Sequence, residues 1–165
     1  LRTLGEYKQQ IAASLTWYEK TLKQNGLSIG SGNNGSGYSG RKSIMLENGF
    51  VIINAEDNIL PTMIGTLASI VAKSSNFPAG TFVLSLARAP DSFTKISLRL
   101  AGEKMVKGEF NLMELLTTIA GMVGGQAGGH HEAAGAIIKT EKEEEFIAAA
   151  KHHLAARKIE EKLTF

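Results

Sequence analysis

The sequence predicts an α/β fold, a mixed β-sheet flanked by helices and preceded by a connector helix. Three observations carry that expectation. Stretches with an apolar residue every three or four positions alternate along the chain with short apolar runs bounded by glycine, proline or asparagine. The segment KISLRLA, from Lys95, alternates apolar and polar residues with the period of a strand. It follows TFVLSLA, from Thr81, after a turn too short to hold a helical crossover, so these two strands pair antiparallel and the sheet is mixed. With 165 residues, 43% of them apolar and 21% charged, the chain has the size and composition of one globular domain.

The elements follow in order. From Leu4 to Gln24 the residues Tyr7, Ile11, Leu15, Tyr18 and Leu22 form the stripe of an amphipathic helix, which Asn25-Gly26 ends. We place this connector helix within residues 1–26. GSGNNGSGYSG (30–40) offers nothing to bury, and residues 27–42 read as a flexible Gly/Ser/Asn-rich loop. The domain proper is expected at 43–165. There, Asn48-Gly49 can turn a hairpin into the apolar run FVII. Pro61 can start a helix marked by Ile64, Leu67, Ala68 and Val71. In KISLRLA, Ile96, Leu98 and Leu100 face the core, while Lys95, Ser97 and Arg99 occupy a face expected to be available. Asn111 can cap a helix, with Glu114 three residues on and a stripe of Leu112, Leu115, Leu116, Ile119 and Val123. AAGAIIK is a short strand. Thr140 and Glu143 open a last helix carrying Phe146, Ile147, Ala150 and Leu154. Its run Glu143 to Glu145 reads as a solvated start that complements the helix dipole.

The totals exclude several functions. There is no cysteine, which removes disulfides, thiolate metal sites and cysteine nucleophiles and fits a reducing compartment. No apolar run has the length of a membrane span and no signal peptide opens the chain, so the expected location is cytoplasmic, without membrane contact. A net charge of +2 is too small to attract nucleic acid in bulk, and any such binding must be local. Of sixteen acidic residues only Asp57 and Asp91 are aspartates. No paired-carboxylate or nucleophile-elbow pattern appears, and catalysis within this chain is not expected.

One stretch concentrates unusual residues. GGQAGGHHEAAG (124–135) holds five glycines, His130, His131 and Glu132 in twelve positions. Three readings compete. A metal site is disfavoured because adjacent histidines point apart on a strand or helix; His152 and His153, adjacent on a helix, read as solvated. A phosphate site has a physical basis, since glycines let backbone N–H groups approach an anion in a concave nest. His130, after Gly128 and Gly129, adds a donor, and Arg99 can add a bidentate clamp. A plain turn remains open, because helices commonly end on left-handed glycines. Tyr38, Phe93 and Trp17, the aromatics that could stack on bases, read as core or loop filler.

GGHHEAAG resembles the G-G-H-x-x-A-A-G signature of the C-terminal DHH-associated domain of DHH-family phosphoesterases, which include RecJ-type exonucleases and oligoribonucleases. KISLRLAGE looks like that domain's arginine-bearing strand, and IGTLASIV, NLMELL and the final helix stand in the expected order. The likeness runs from about 43 to 154 and is most similar to the archaeal RecJ-like proteins. It implies a division of labour. A DHH domain holds two divalent ions, manganese or magnesium, that activate water for attack on a phosphodiester, while the companion domain grips the substrate's phosphates. Carried over by residue, the resemblance makes Gly128, Gly129, His130, Ala133, Ala134, Gly135 and Arg99 the substrate-binding residues.

No DHH triplet appears in this sequence, and two aspartates cannot build a binuclear centre. The resemblance therefore implies a substrate-binding module, not catalytic alone: either the C-terminal portion of a longer protein, opening here on Leu1 and working with its own DHH domain, or a chain that relies on a partner for that domain. The implied ligand is single-stranded nucleic acid or short oligonucleotides. The alternatives from the same resemblance are a non-catalytic replication scaffold binding GINS and an oligoribonuclease-type phosphoesterase domain. The related C-terminal domain of alanyl-tRNA synthetases shares the glycine-rich element, but His130 argues against it.

Overall fold

Thr3 starts the chain's first helix by a reciprocal cap: its hydroxyl accepts from the Glu6 N–H at 3.2 Å, and the Glu6 carboxylate accepts from the Thr3 N–H at 3.2 Å. In this computed structural model, which describes residues 3–25, 43–47, 49–74, 76–102, 111–130 and 133–163, α1 spans Leu4–Gln24. The expected loop 27–42 lies outside the described residues. Two short strands follow, β1 (Ile44–Glu47) and β2 (Phe50–Asn54). Glu47 pairs with Phe50, and Gly49 takes a φ of 96° in the turn between them, so the hairpin expected there forms. Helix α2 (Pro61–Lys73) begins on its proline. Strands β3 (Phe82–Ala89) and β4 (Phe93–Leu100) come next, then α3 (Leu112–Gly121), capped where Asn111 Oδ1 accepts from the Glu114 N–H at 3.0 Å. The chain closes with β5 (Gln126–His130), β6 (Ala133–Lys139) and α4 (Glu143–Leu163).

Among the described residues six strands lie in the order β1-β2-β3-β4-β6-β5. Only β2 and β3, joined through α2, run parallel; the other neighbours are antiparallel. The sheet is mixed, as the sequence predicts. Each face has its own core. On one, Ile96 and Leu98 of β4, with Ala134, Ala136 and Ile138 of β6, pack against Leu112, Leu116 and Ile119 of α3 and Phe146, Ala150 and Leu154 of α4. On the other, Val51, Ile53, Val83 and Ala87 pack against Ile64, Leu67 and Val71 of α2 and Tyr18 of α1.

Three expectations are corrected. The glycine-rich stretch is not simply a loop: Gln126–His130 forms strand β5, paired with β6 along its length. The second face of β4 is not free, because α2 buries Ser97 to 3% exposure and half-buries Arg99, leaving only Lys95 of the three exposed. And Glu143 is not solvated. It is 5% exposed, accepts from the Thr94 hydroxyl at 2.6 Å, and receives Arg88 Nε and Nη2 at 3.3 and 3.4 Å. That carboxylate is the main reason the Arg88 guanidinium holds its proton more tightly than usual. Its bonds pin the start of α4 to the middle of the sheet.

Replacing Glu143 with alanine should therefore destabilise the domain by about 2–3 kcal/mol, the worth of hydrogen bonds to a buried charge, read as a lower urea midpoint at unchanged slope. Tyr18 generates an alkaline prediction. Burial pushes its phenol from 10.0 up to about 12, so the fold prefers the neutral form. The stability this contributes is complete below pH 10 and lost as pH rises toward about 12. Urea midpoints followed across that range should fall for the parent chain and fall less for Tyr18→Phe.

Candidate anion-binding site

Directly paired residues of antiparallel strands share a face, so the register states which side chains can meet. His130 pairs with Ala133, and Leu98 pairs with Ala134. One step beyond that last pair, Arg99 aligns with Ala133. Arg99, Ala133 and His130 thus form a row across β4, β6 and β5 on the face that α2 partly covers. With neighbouring strands about 4.8 Å apart, the backbones at Arg99 and His130 are separated by about 10 Å, a gap that two long polar side chains can close around one anion.

Arg99 is held in place by backbone, not by a carboxylate. Its Nη1 donates to the carbonyls of Leu98 at 3.0 Å and Ala134 at 3.2 Å. Helix α2 passes close by: a β-carbon at Gly65 would sit 3.7 Å from Nη2. Burial lowers its pKa from the ordinary value, although a guanidinium stays charged at any working pH. Among the described residues no carboxylate forms an ion pair with it, whereas Arg88 has three, Glu56, Asp57 and Glu143. A half-buried cation with no counter-charge among the described residues has the chemistry to pair with an anion. His130, at the end of β5, is exposed.

The glycines divide by role. Gly124, with a φ of 75°, sits in the turn after α3, where the plain-turn reading holds. Gly129 has a φ of 112°, and a β-carbon there would stand 2.5 Å from the Ala133 carbonyl oxygen, so the hairpin itself requires glycine. Gly128 is different: a β-carbon there would meet nothing within 4 Å, and one at Gly135, its partner across the strands, would come no closer than 3.5 Å to Ile96 O. The fold does not demand glycine at either position. Together they leave a bare floor beside the Arg99 row. Because these residues lie in paired strands, the expected concave nest of N–H groups does not form over 126–130; the glycines supply space instead. Ala134 turns its methyl into the opposite core at 1% exposure and offers the site only its carbonyl. His131 and Glu132 lie outside the described residues.

The floor opens into a groove of about 720 Å³, lined by Phe93, Lys95, Gln126, Gly128, Gly135 and Ile137 among others. Phe93 and Lys95 are not among the site residues expected from the sequence. Their signal is present there, since both stand in phase with Arg99 on β4. Elsewhere, His153 Nε2 lies 3.2 Å from Met122 Sδ, and no three metal-ligating side chains come together among the described residues. No helix among them is long and apolar enough to cross a membrane.

At the level of the fold, the chain is similar to a solved domain. The C-Ala domain of Aquifex aeolicus alanyl-tRNA synthetase superposes with a TM-score of 0.51 at 17% identity, over 64% of this chain and 91% of that one. The DHH domain of a protein assigned to a family of ribosomal proteins aligns at 21% identity and a TM-score of 0.47, over 84% of this chain; the match spans only 30% of that one. No curated protein sequence matches. The DHHA1 domain model matches residues 48–156. With that match extending over more than half of its length, the chain belongs to the DHHA1 domain family.

Proposed function

We propose that this domain grips the phosphates of single-stranded nucleic acid for a metal-dependent, RecJ-like phosphoesterase whose DHH domain supplies the two metal ions and the hydrolytic step. The observation that carries the reading is the row of Arg99, Ala133 and His130 beside a glycine floor. A guanidinium with no carboxylate partner among the described residues and an imidazole flank a surface from which side chains are missing without structural need. A phosphodiester fits this chemistry: it presents a planar guanidinium with paired acceptor oxygens and is small enough to approach the strands closely. Such contacts read charge and backbone, not base sequence. Membership of the DHHA1 family supports the pairing with a DHH domain.

A replication scaffold that binds GINS has no use for an open floor at Gly128 and Gly135, and the site favours the binding role for that reason. An oligoribonuclease-type role differs only in substrate length.

Binding of a fluorescent oligonucleotide, titrated at several salt concentrations, tests the proposal. Arg99→Ala should weaken binding by about tenfold or more and reduce the salt slope by about one, and His130→Ala should weaken it less. Unchanged affinity in both variants would remove the proposal. The glycines give an independent check. Gly128→Val should fold normally yet bind poorly, because its side chain stands on the groove floor. Gly129→Val should lower thermal stability, because the hairpin cannot admit it.

A further inference from the structure

We infer that the groove, continued beyond its Gly128 and Gly129 end to the neighbouring Arg99 and His130, is a track for several unpaired nucleotides that ends on a base-stacking platform at Phe93 and Lys139, with Lys95 as an intermediate phosphate contact. The inference rests on the proposed function and extends it to residues that reading does not use. The strand pairing places Phe93 beside Lys139 and Lys95 beside Ile137. All four share the face of Arg99, since each lies an even number of positions from it on β4 or is the cross-strand partner of such a residue. They are also accessible. Phe93 is 42% and Ile137 53% exposed, and Lys95 and Lys139 are exposed as well.

The short turn Pro90–Ser92 helps to hold Phe93 outward, with Asp91 and Ser92 both at left-handed φ, 63° and 61°. Helix α2 does not reach this end of the sheet: its cover stops between Ser97, buried, and Lys95, exposed. Between the two ends, the surface is the bare floor of Gly128 and Gly135.

Charge selects the occupant. Among the described residues no acidic side chain lines the groove, and neither Lys95 nor Lys139 forms an ion pair. An exposed aromatic ring interleaved with free cations is the surface that unpaired nucleic acid uses, with bases stacked and phosphates paired. An acidic peptide would satisfy the lysines but leave the Phe93 ring and the glycine floor without a role. The six residue steps from Arg99 to Phe93 span about 20 Å. At a stacked rise of about 3.4 Å the track holds at most about six nucleotides, and fewer when the strand is extended.

The test uses the full 165-residue chain and 5′-phosphorylated oligothymidylates of one to ten nucleotides, measured by competition against a labelled oligomer. Affinity should rise with length to a plateau at or below six nucleotides. Phe93→Ala should weaken the hexamer by about tenfold or more, and the double variant Lys95→Ala, Lys139→Ala should flatten both the length dependence and the salt slope. Mononucleotide binding should be unchanged in all three substitutions. If these variants bind the hexamer like the parent while Arg99→Ala still weakens it, the track is wrong and the phosphate site stands. If Arg99→Ala is also silent, both fall. Sedimentation velocity on the same variants reads the competing occupant: a change in self-association without a change in oligonucleotide binding would assign the patch to a second copy of the chain and overturn the inference. Circular dichroism melts equal to the parent's are expected, since all three side chains are exposed.

Discussion

The structure depends on incomplete cover of one sheet face. Six strands about 4.8 Å apart make a surface about 24 Å wide, and a packed helix spans about 10 Å of it. Helices α3 and α4 close one face almost completely, and the core there includes residues from β2 to β6. On the other face, α1 and α2 gather over β1 to β4, and the core contains no residue of β5 or β6. What remains is a shelf at one side of the sheet, and the edge of α2 crosses β4 between Lys95 and Arg99. Arg99 sits at that edge. It is buried enough to lose water and open enough to meet a ligand, and two backbone carbonyls fix its head. The groove and the candidate anion site are therefore consequences of where α1 and α2 sit, over β1 to β4, since each face carries two helices.

Holding the shelf still is a separate task, and it falls to polar contacts in the opposite face. The Glu143 carboxylate joins Thr94 of β4, Arg88 of β3 and the first turn of α4. Arg88 also reaches Glu56 and Asp57 after β2. One buried charge thus ties two strands and a helix together, and through Arg88 the segment after β2, directly behind the residues that line the groove. Removing its partners would leave that charge uncompensated, so the cluster behaves as a unit.

The sequence announces most of the architecture because its signals are periodic. The stripe Leu112, Leu116 and Ile119 and the alternation of Ile96 and Leu98 each report a single buried face, and the structure buries those residues. Strand β5 is illegible because QAGGH has no side-chain pattern to read; glycine lacks both the bulk and the propensity that mark a strand, and only pairing with β6 makes it one. Glu143 misleads for a related reason. Within the run of three glutamates nothing local distinguishes the buried member from its solvated neighbours Glu144 and Glu145; the difference is Arg88, fifty-five residues away. Of the site, the composition of the motif is visible but its geometry is not. The alternation places Arg99 on the polar face of β4, yet it cannot say that α2 will cover half of that face, nor that the same phase will leave Phe93 bare at the far end.

Gly128 and Gly135 carry a longer consequence. Each lies in a strand, where glycine forfeits conformational entropy and packing, and neither is excused by a crowded neighbour. A lineage under pressure for durability alone would fill both with alanine, valine or threonine, and the sheet would accept them. On the proposed function, their emptiness records a demand from outside the fold. In relatives that have abandoned their ligand, these two positions should be the first to acquire side chains, while Gly129 persists, which makes the pair a gauge of whether the shelf is still in use.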